Sequence, residues 1–254
     1  MKALVRRPGD RLAEGIVTHI ERQPVDLDLA RRQWRGYVAA LQDTGWDPVE
    51  VPAALESPDA VFVEDTVVVF RDVAVVTRPG ADARKPETAA VSTVVADLGY
   101  TVHHIQPAGT LDGGDVLKVN DRIYVGLGGR TNAAGLKQLR DVLSPLGATV
   151  IGVPTAKVLH LKSAVTALPD GSIIGYLPLV DAPEFFPHFR PVPEESGAHV
   201  VALGDDRLLV AADCPASTEL FSQLGYEPVV VDISEFQKLE GCVTCLSVRL
   251  RALG

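Results

Sequence analysis

Val116-Leu117-Lys118-Val119-Asn120-Asp121-Arg122-Ile123-Tyr124-Val125 reads as two short apolar runs meeting across a polar turn. β-Branched and aromatic residues on both sides of such a turn are the composition of a hairpin. A helical stretch over 133–146 follows and stops at Gly147, after which 148–151 turns extended. A glycine just past a helix supplies the left-handed residue that ends it. The local order is therefore hairpin, helix, strand. The same order recurs outward. Upstream, Val67-Val68-Val69-Phe70 meets Val73-Ala74-Val75-Val76 across Arg71-Asp72, then a helix over 86–98 ends at Gly99 before an extended 101–105. Downstream, 164–168 meets 173–176, and 200–203 meets 208–211, the latter followed by a helix over 217–224, Gly225 and an extended 228–231. Near the start, Leu29, Ala30, Trp34, Val38 and Leu41 recur at helical spacing over 26–44, ahead of Gly45 and an extended 49–51. One unit, 183–197, has no helix.

Polar residues mark the period. Glu64, Asp112 and His160 follow one another at intervals of 48 residues. About five such units fill 254 residues, which predicts a radial, propeller-like α/β repeat. An α/β sandwich with mixed sheets is the alternative.

Composition limits the function. Hydrophobic residues at 46 % with 22 % charged describe an ordinary globular chain. A net charge of −9 argues against a nucleic-acid partner and suits a small cationic one. No apolar run approaches membrane-spanning length, so no membrane partner is expected, and the basic start lacks the apolar core of a secretory signal. Three irregularly spaced cysteines argue against a disulfide framework and for the reducing cytoplasm.

Four polar clusters interrupt the apolar strand pairs: Phe62-Val63-Glu64-Asp65-Thr66, Leu111-Asp112-Gly113-Gly114-Asp115, His160-Leu161-Lys162-Ser163 and Thr244-Cys245-Leu246-Ser247. Burying carboxylates beside valine-rich strands is expensive without compensating donors. Singly, each has a structural reading: a strand cap, a tight turn, a half-buried histidine, a small core thiol. Equivalent placement in successive repeats would bring all four to one end of the pseudo-axis. The segment 241–250 reads as a regular terminal strand, which puts Cys242 on the face opposite Cys245 and gives it a structural role. Cys214 reads as strand-end packing. A redox or zinc use of the C-x-x-C spacing is not expected without a second pair or a following helix. His103-His104 lack ligand-like company, and Gly126-Leu127-Gly128-Gly129 does not complete a dinucleotide fingerprint because Thr131 stands where the last glycine would be.

Phe62-Val63-Glu64-Asp65, Thr77-Arg78-Pro79-Gly80-Ala81, Thr110-Leu111-Asp112-Gly113-Gly114-Asp115-Val116, Gly129-Arg130-Thr131-Asn132, His160-Leu161-Lys162 and Thr244-Cys245 together closely resemble the dimethylarginine dimethylaminohydrolases of the guanidino-modifying, or pentein, superfamily. The resemblance runs over essentially the whole chain in order and spacing. It implies a five-bladed α/β propeller of ββαβ modules with pseudo-five-fold symmetry, 1–254 forming a single catalytic domain. It implies hydrolysis of Nω,Nω-dimethyl-L-arginine, or the monomethyl form, to L-citrulline and the amine, with no metal or organic cofactor. Cys245 would be the nucleophile, His160 the general acid and base, and Asp112 the group that orients and charge-stabilises His160. Some relatives place glutamate at that last position, which would require a slightly different reach here. Asp59, Glu64, Asp65 and Leu239 would contact substrate, Arg84 and Arg130 would hold its α-carboxylate, and 12–17 would form a lid. Arginine deiminase or another guanidine-modifying hydrolase is the alternative activity, and a non-enzymatic binding protein of the same fold a third. Phe185-Phe186-Pro187 marks an interface for a possible homodimer or packs the helix-free unit.

Overall fold

The structure is a computed structural model that describes residues 1–250. The chain opens with β1 (Lys2–Val5), crosses through α1 (Leu27–Asp43) and returns as β2 (Asp47–Glu50), parallel to β1. The next module is β3 (Val67–Phe70), β4 (Val73–Val76), α2 (Thr88–Asp97) and β5 (Thr101–His104). It is followed by β6 (Val116–Val119), β7 (Arg122–Leu127), α3 (Ala133–Leu143) and β8 (Thr149–Pro154). The fourth module, β9 (Val165–Ala167), β10 (Ile173–Gly175) and β11 (Phe189–Pro191), crosses by short 3-10 turns instead of a helix. The fifth is β12 (Val201–Gly204), β13 (Arg207–Ala211), α4 (Pro215–Gln223) and β14 (Glu227–Val231). After the short α5 (Ser234–Gln237), β15 (Val248–Leu250) pairs antiparallel with β1.

Each of the five sheets thus has three strands with one pattern, an antiparallel pair extended by a parallel third strand. This is the ββαβ propeller, not a sandwich. The first sheet draws its strands from both ends of the chain, so the ring closes only when β15 docks on β1.

Local chemistry explains the helix ends. Asp26 caps α1 by accepting from the Leu29 N–H at 2.9 Å. Gly45, Gly99, Gly147 and Gly225 each leave a helical segment at φ of +87°, +91°, +89° and +90°, a region that residues with a Cβ rarely enter. Packing then follows the two-residue period of the strands. Val67 and Val69 of β3 join the core shared with β1 and α2, whereas Val68 and Phe70 join the core shared with β6, β7 and α3. Repeated around the ring, this gives five apolar clusters wedged between neighbouring sheets.

One reading is corrected. The segment 241–250 is not one strand: residues 243–246 form a turn and only Val248–Leu250 is extended. The Tyr37 hydroxyl donates to the Val243 carbonyl at 2.8 Å and so accepts from the Ser247 hydroxyl at 2.7 Å, an arrangement a strand ladder cannot provide. Phe186 is buried and meets Tyr124 edge-on at 5.3 Å, which leaves only Phe185 of the pair exposed. Among the described residues, no helix is long and apolar enough to cross a membrane.

Candidate active site

Four of the five modules present a polar residue just before the first strand of the antiparallel pair: Glu64 before β3, Asp112 before β6, His160 before β9 and Cys245 before β15. The ring converts this shared position in sequence into proximity. His160 Nε2 lies 3.0 Å from Asp112 Oδ2, and its Nδ1 lies 3.8 Å from Asp65 Oδ1. The equivalent residue before β12, His199, instead lines a neighbouring cavity, with Nε2 2.9 Å from the Ser163 carbonyl.

Donors fix both carboxylates. Asp112 Oδ1 accepts from the Gly80 N–H at 2.8 Å, and Oδ2 lies 3.5 Å from Arg130 Nη1. Asp65 accepts from the Gly114 N–H at 2.7 Å and from Arg84 Nη1 at 2.6 Å. The paired glycines of Asp112-Gly113-Gly114-Asp115 serve close approach rather than turn geometry. A Cβ on Gly114 would stand 2.6 Å from His160 Nδ1 and 2.7 Å from Asp65 Oδ1. Below this layer lies Asp115, to which sequence reasoning gave no role. It accepts from Thr131 Oγ1 at 2.6 Å and from the Leu161 N–H at 3.0 Å, while Thr131 accepts from the Asp112 N–H at 3.1 Å. One buried carboxylate thereby steadies both Asp112 and the backbone beside His160.

Electrostatics follow from this enclosure. Burial by itself would lower the His160 pKa. Asp65, the hydrogen bond to Asp112 and the charge of Asp115 outweigh it and raise the pKa to about 9. His160 is therefore an imidazolium at neutral pH, with Nε2–H committed to Asp112 and Nδ1 left to exchange a proton. Burial pushes Asp115 up to about 6. Asp65 goes the other way: burial opposes its ionisation, but His160, Arg84 and the Gly114 N–H together hold it below the usual carboxylate range. Cys245 is raised well above the ordinary thiol, first by its hydrogen bond to the Cys242 sulfur, then by burial and by the charges of Cys242, Glu64 and Asp65.

Around Cys245 and His160, the pocket is walled by Ile16, Asp59, Phe62, Asp65, Arg84, Arg130, Leu159, Leu239, Glu240 and Gly241. The enclosed space is only about 20 Å³, close to that of one water. Ile16, within the segment expected to be a lid, lies in the wall: its N–H donates to Asp59 at 3.1 Å, and Glu240 accepts from the N–H groups of Thr18, His19 and Ile20.

Three substrate-contact candidates stand differently from the rest. Glu64 does not line the pocket; it pairs with Lys162 at 2.5 Å, and its buried Oε2 has no hydrogen-bond partner among the described residues. Arg84 is engaged by protein groups: Nη1 by Asp65, Nε by Glu87, and Nη2 by Glu87 at 2.8 Å and by two backbone carbonyls. Arg130, by contrast, keeps a buried Nη1 with no hydrogen-bond partner. Asp65, Asp112 and His160 place ligand atoms within 4.8 Å of one another, but each already faces an arginine, an amide N–H or the others.

The turn that carries Cys245 is held from a distance by Tyr37 of α1. Removing its hydroxyl strands a buried carbonyl and a buried serine, which costs about 1–3 kcal/mol. Tyr37→Phe should lower unfolding free energy by that order in urea titration and reduce kcat more than it changes KM. An unchanged midpoint with unchanged kcat would remove Tyr37 from this role.

Comparison with known proteins bears on this geometry. A family model described as RNA-editing substrate-binding complex 5 protein matches residues 1–177. The N(G),N(G)-dimethylarginine dimethylaminohydrolase of Streptomyces coelicolor is 65 % identical over 252 residues, covering 99 % of this chain and 98 % of that one. The chain belongs to the dimethylarginine dimethylaminohydrolase family. Solved structures of the family superpose throughout. One, a histidine variant described as an adduct with S-methyl-L-thiocitrulline, has a TM-score of 0.92 at 32 % identity and covers 98 % of this chain and 99 % of its own. Another, a cysteine-to-serine mutant from Pseudomonas aeruginosa complexed with citrulline, has a TM-score of 0.91 at 31 % identity, with 98 % of each chain covered. The pentein propeller expected from the sequence is the fold observed.

Proposed function

We propose that this chain hydrolyses Nω,Nω-dimethyl-L-arginine and Nω-methyl-L-arginine to L-citrulline and dimethylamine or methylamine. The observation that carries the reading is the buried imidazolium of His160, held between Asp112 and Asp65 in a closed acidic pocket whose wall includes Cys245. The kinship to a dimethylarginine dimethylaminohydrolase at 65 % identity supports the substrate.

A guanidinium carbon is a poor electrophile because its charge is delocalised. Carboxylates that pin its N–H groups in one plane present that carbon to a soft nucleophile. In this reading Asp65 is such an acceptor in the pocket wall, Glu64 acts from behind the wall through its charge and its pair with Lys162, Asp59 and Leu239 shape the pocket, and Arg130 takes the α-carboxylate. Arg84 acts on that carboxylate through its charge while holding Asp65 in place. The Cys245 thiolate attacks the guanidinium carbon. His160 protonates the departing amine, leaving an S-alkylthiouronium on Cys245. A water then adds to it with His160 as the base, and the C–S bond breaks to release citrulline. Each step uses the chain's own groups. The span 1–254 works as a single catalytic domain, because the strand that follows the Cys245 turn pairs with the first strand of the chain. Three free thiols are consistent with a reducing compartment such as the cytoplasm. The RNA-related description of the matching family model finds no support in a net charge of −9.

The raised Cys245 pKa makes ionisation depend on substrate. The hydrogen bond to Cys242 and burial raise it most, and Glu64 and Asp65 add to it; a bound guanidinium offsets the carboxylates' share, so a non-reactive cationic arginine analogue should shift the rise of thiolate absorbance to lower pH. Identical titrations with and without the analogue would overturn this. The function itself is tested by measuring citrulline from dimethylarginine, monomethylarginine, arginine and agmatine side by side. Methylated arginines should give the highest kcat/KM; arginine turned over as well or better would make the chain an arginine deiminase.

A further inference from the structure

Cys242 is not remote from the nucleophile. The Cys245 N–H donates to the Cys242 carbonyl at 3.0 Å, closing a β-turn, and the two sulfurs lie 3.3 Å apart. A β-turn keeps its first and last Cα within about 7 Å, and disulfides span about 4.4–6.8 Å. Both sulfurs are buried on the same side of this turn, so sulfur-to-sulfur bonding needs a side-chain adjustment rather than a movement of strands. The sulfurs also open onto different spaces. Cys245 lines the small pocket walled by Ile16, whereas Cys242 lines a cavity of about 540 Å³ shared with His199, Glu194, Ser196 and Gln237. A small oxidant can therefore reach Cys242 without passing Ile16.

We propose that Cys242 and Cys245 form an oxidation site, at which a hydroperoxide converts the neighbouring thiols into an intramolecular disulfide that removes the nucleophile. The Cys242 sulfur attacks the terminal peroxide oxygen as its thiolate. The O–O bond breaks, and the leaving oxygen takes up the thiol proton, giving water when the oxidant is hydrogen peroxide. Cys242 is left as a sulfenic acid. The Cys245 sulfur, losing its proton, attacks the Cys242 sulfur; the S–O bond breaks and the departing hydroxide takes that proton as a second water. Two thiols are oxidised and one peroxide is reduced to two waters. The Cys242 sulfur is suited to react first because it also lies 3.2 Å from Thr244 Oγ1 and faces Cys245, both able to donate to its thiolate. The product returns to two thiols with a dithiol reductant.

The test uses the full chain, treated with hydrogen peroxide without substrate, then denatured and alkylated. Before alkylation intact mass should fall by two hydrogens, afterwards the chain should carry one alkyl group instead of three, and the cross-linked peptide should contain Cys242 and Cys245. Dithiothreitol should restore all three thiols. In Cys242→Ala and Cys242→Ser the mass should rise by one or more oxygens on Cys245 instead. The site is refuted by oxygen added to Cys245 while Cys242 stays a thiol, by a disulfide that includes Cys214, or by three surviving thiols after a peroxide excess that oxidises a low-pKa thiol protein run alongside. Citrulline formation is followed in parallel. Disulfide formation in a chain that never made citrulline would retain the oxidation site and reject the hydrolase. Citrulline formation that survives complete peroxide treatment, with no disulfide, would do the reverse.

Discussion

Cys245→Ser should lower citrulline formation from dimethylarginine by at least about 10³-fold while leaving the fold intact. The swap is close to isosteric in a turn whose shape is set by backbone and Tyr37 hydrogen bonds, so thermal unfolding and far-ultraviolet dichroism should stay close to wild type. The chemistry is what fails. A serine hydroxyl needs a base, and the nearby histidine is an imidazolium up to about pH 9, held so by Asp65 and Asp112 against the pull of burial. A bound guanidinium favours ionisation of the thiol, whereas an alcohol lies several pKa units further off. The variant should still bind substrate. Steady-state citrulline release, with dissociation constants from calorimetry, checks both halves. Retained turnover would overturn the assignment of the nucleophile.

Arg84→Met should destabilise the chain by about 3–5 kcal/mol, the usual consequence of removing one member of a buried ion-pair network. For a domain of this size that is a fall in Tm of roughly 10 °C. The guanidinium lies between Asp65 and Glu87, both buried, and its own pKa is raised well above the usual range because their charges outweigh burial. Without it, two carboxylates lose their cation in a site water does not reach. Asp65 should then protonate more readily, which would relax the hold on His160 Nδ1 and lower kcat. Arg84→Lys keeps the charge but not the fork, and should fall between the two. An Arg84→Met enzyme with wild-type Tm and a raised KM for substrates bearing an α-carboxylate would make Arg84 a direct anchor instead. Arg130→Met provides the contrast. It should raise KM and cost less stability than Arg84→Met, since among the described residues its Nη1 makes no hydrogen bond and only a 3.5 Å ion pair with Asp112.

The legibility of this protein in its sequence divides along contact distance. Valine-rich pairs across Arg71-Asp72 and Asn120-Asp121, and the helix-ending glycines, are local signals, and the elements they predict are the elements observed. The helix-free unit was legible for the same reason, although β11 at Phe189–Pro191 was not, because an edge strand of three residues between prolines carries no periodicity. In the pocket, the regular interval between Glu64, Asp112 and His160 pointed to one shared position in successive modules. Asp115, Thr131 and Lys162 stood inside the same motifs unassigned, since nothing in a short polar cluster says which member faces the ligand and which supports it from behind.

The order of the strands, the helix ends and the repeat of polar positions were therefore determined by the sequence alone, because hydrogen bonding and side-chain periodicity set them within a few residues. The tertiary structure decided the rest. Closing the ring set β15 against β1 and brought Tyr37 to Val243 and Ser247. The terminal segment then became a turn rather than a strand, and two cysteines expected on opposite faces came to lie 3.3 Å apart. Closure likewise committed Arg84 to Asp65 and Glu87, left Arg130 with a 3.5 Å ion pair to Asp112, and gave His160 one carboxylate at each ring nitrogen. Such pairings join residues far apart along the chain, and their energies depend on burial and on competing partners, which exist only once the five sheets have packed.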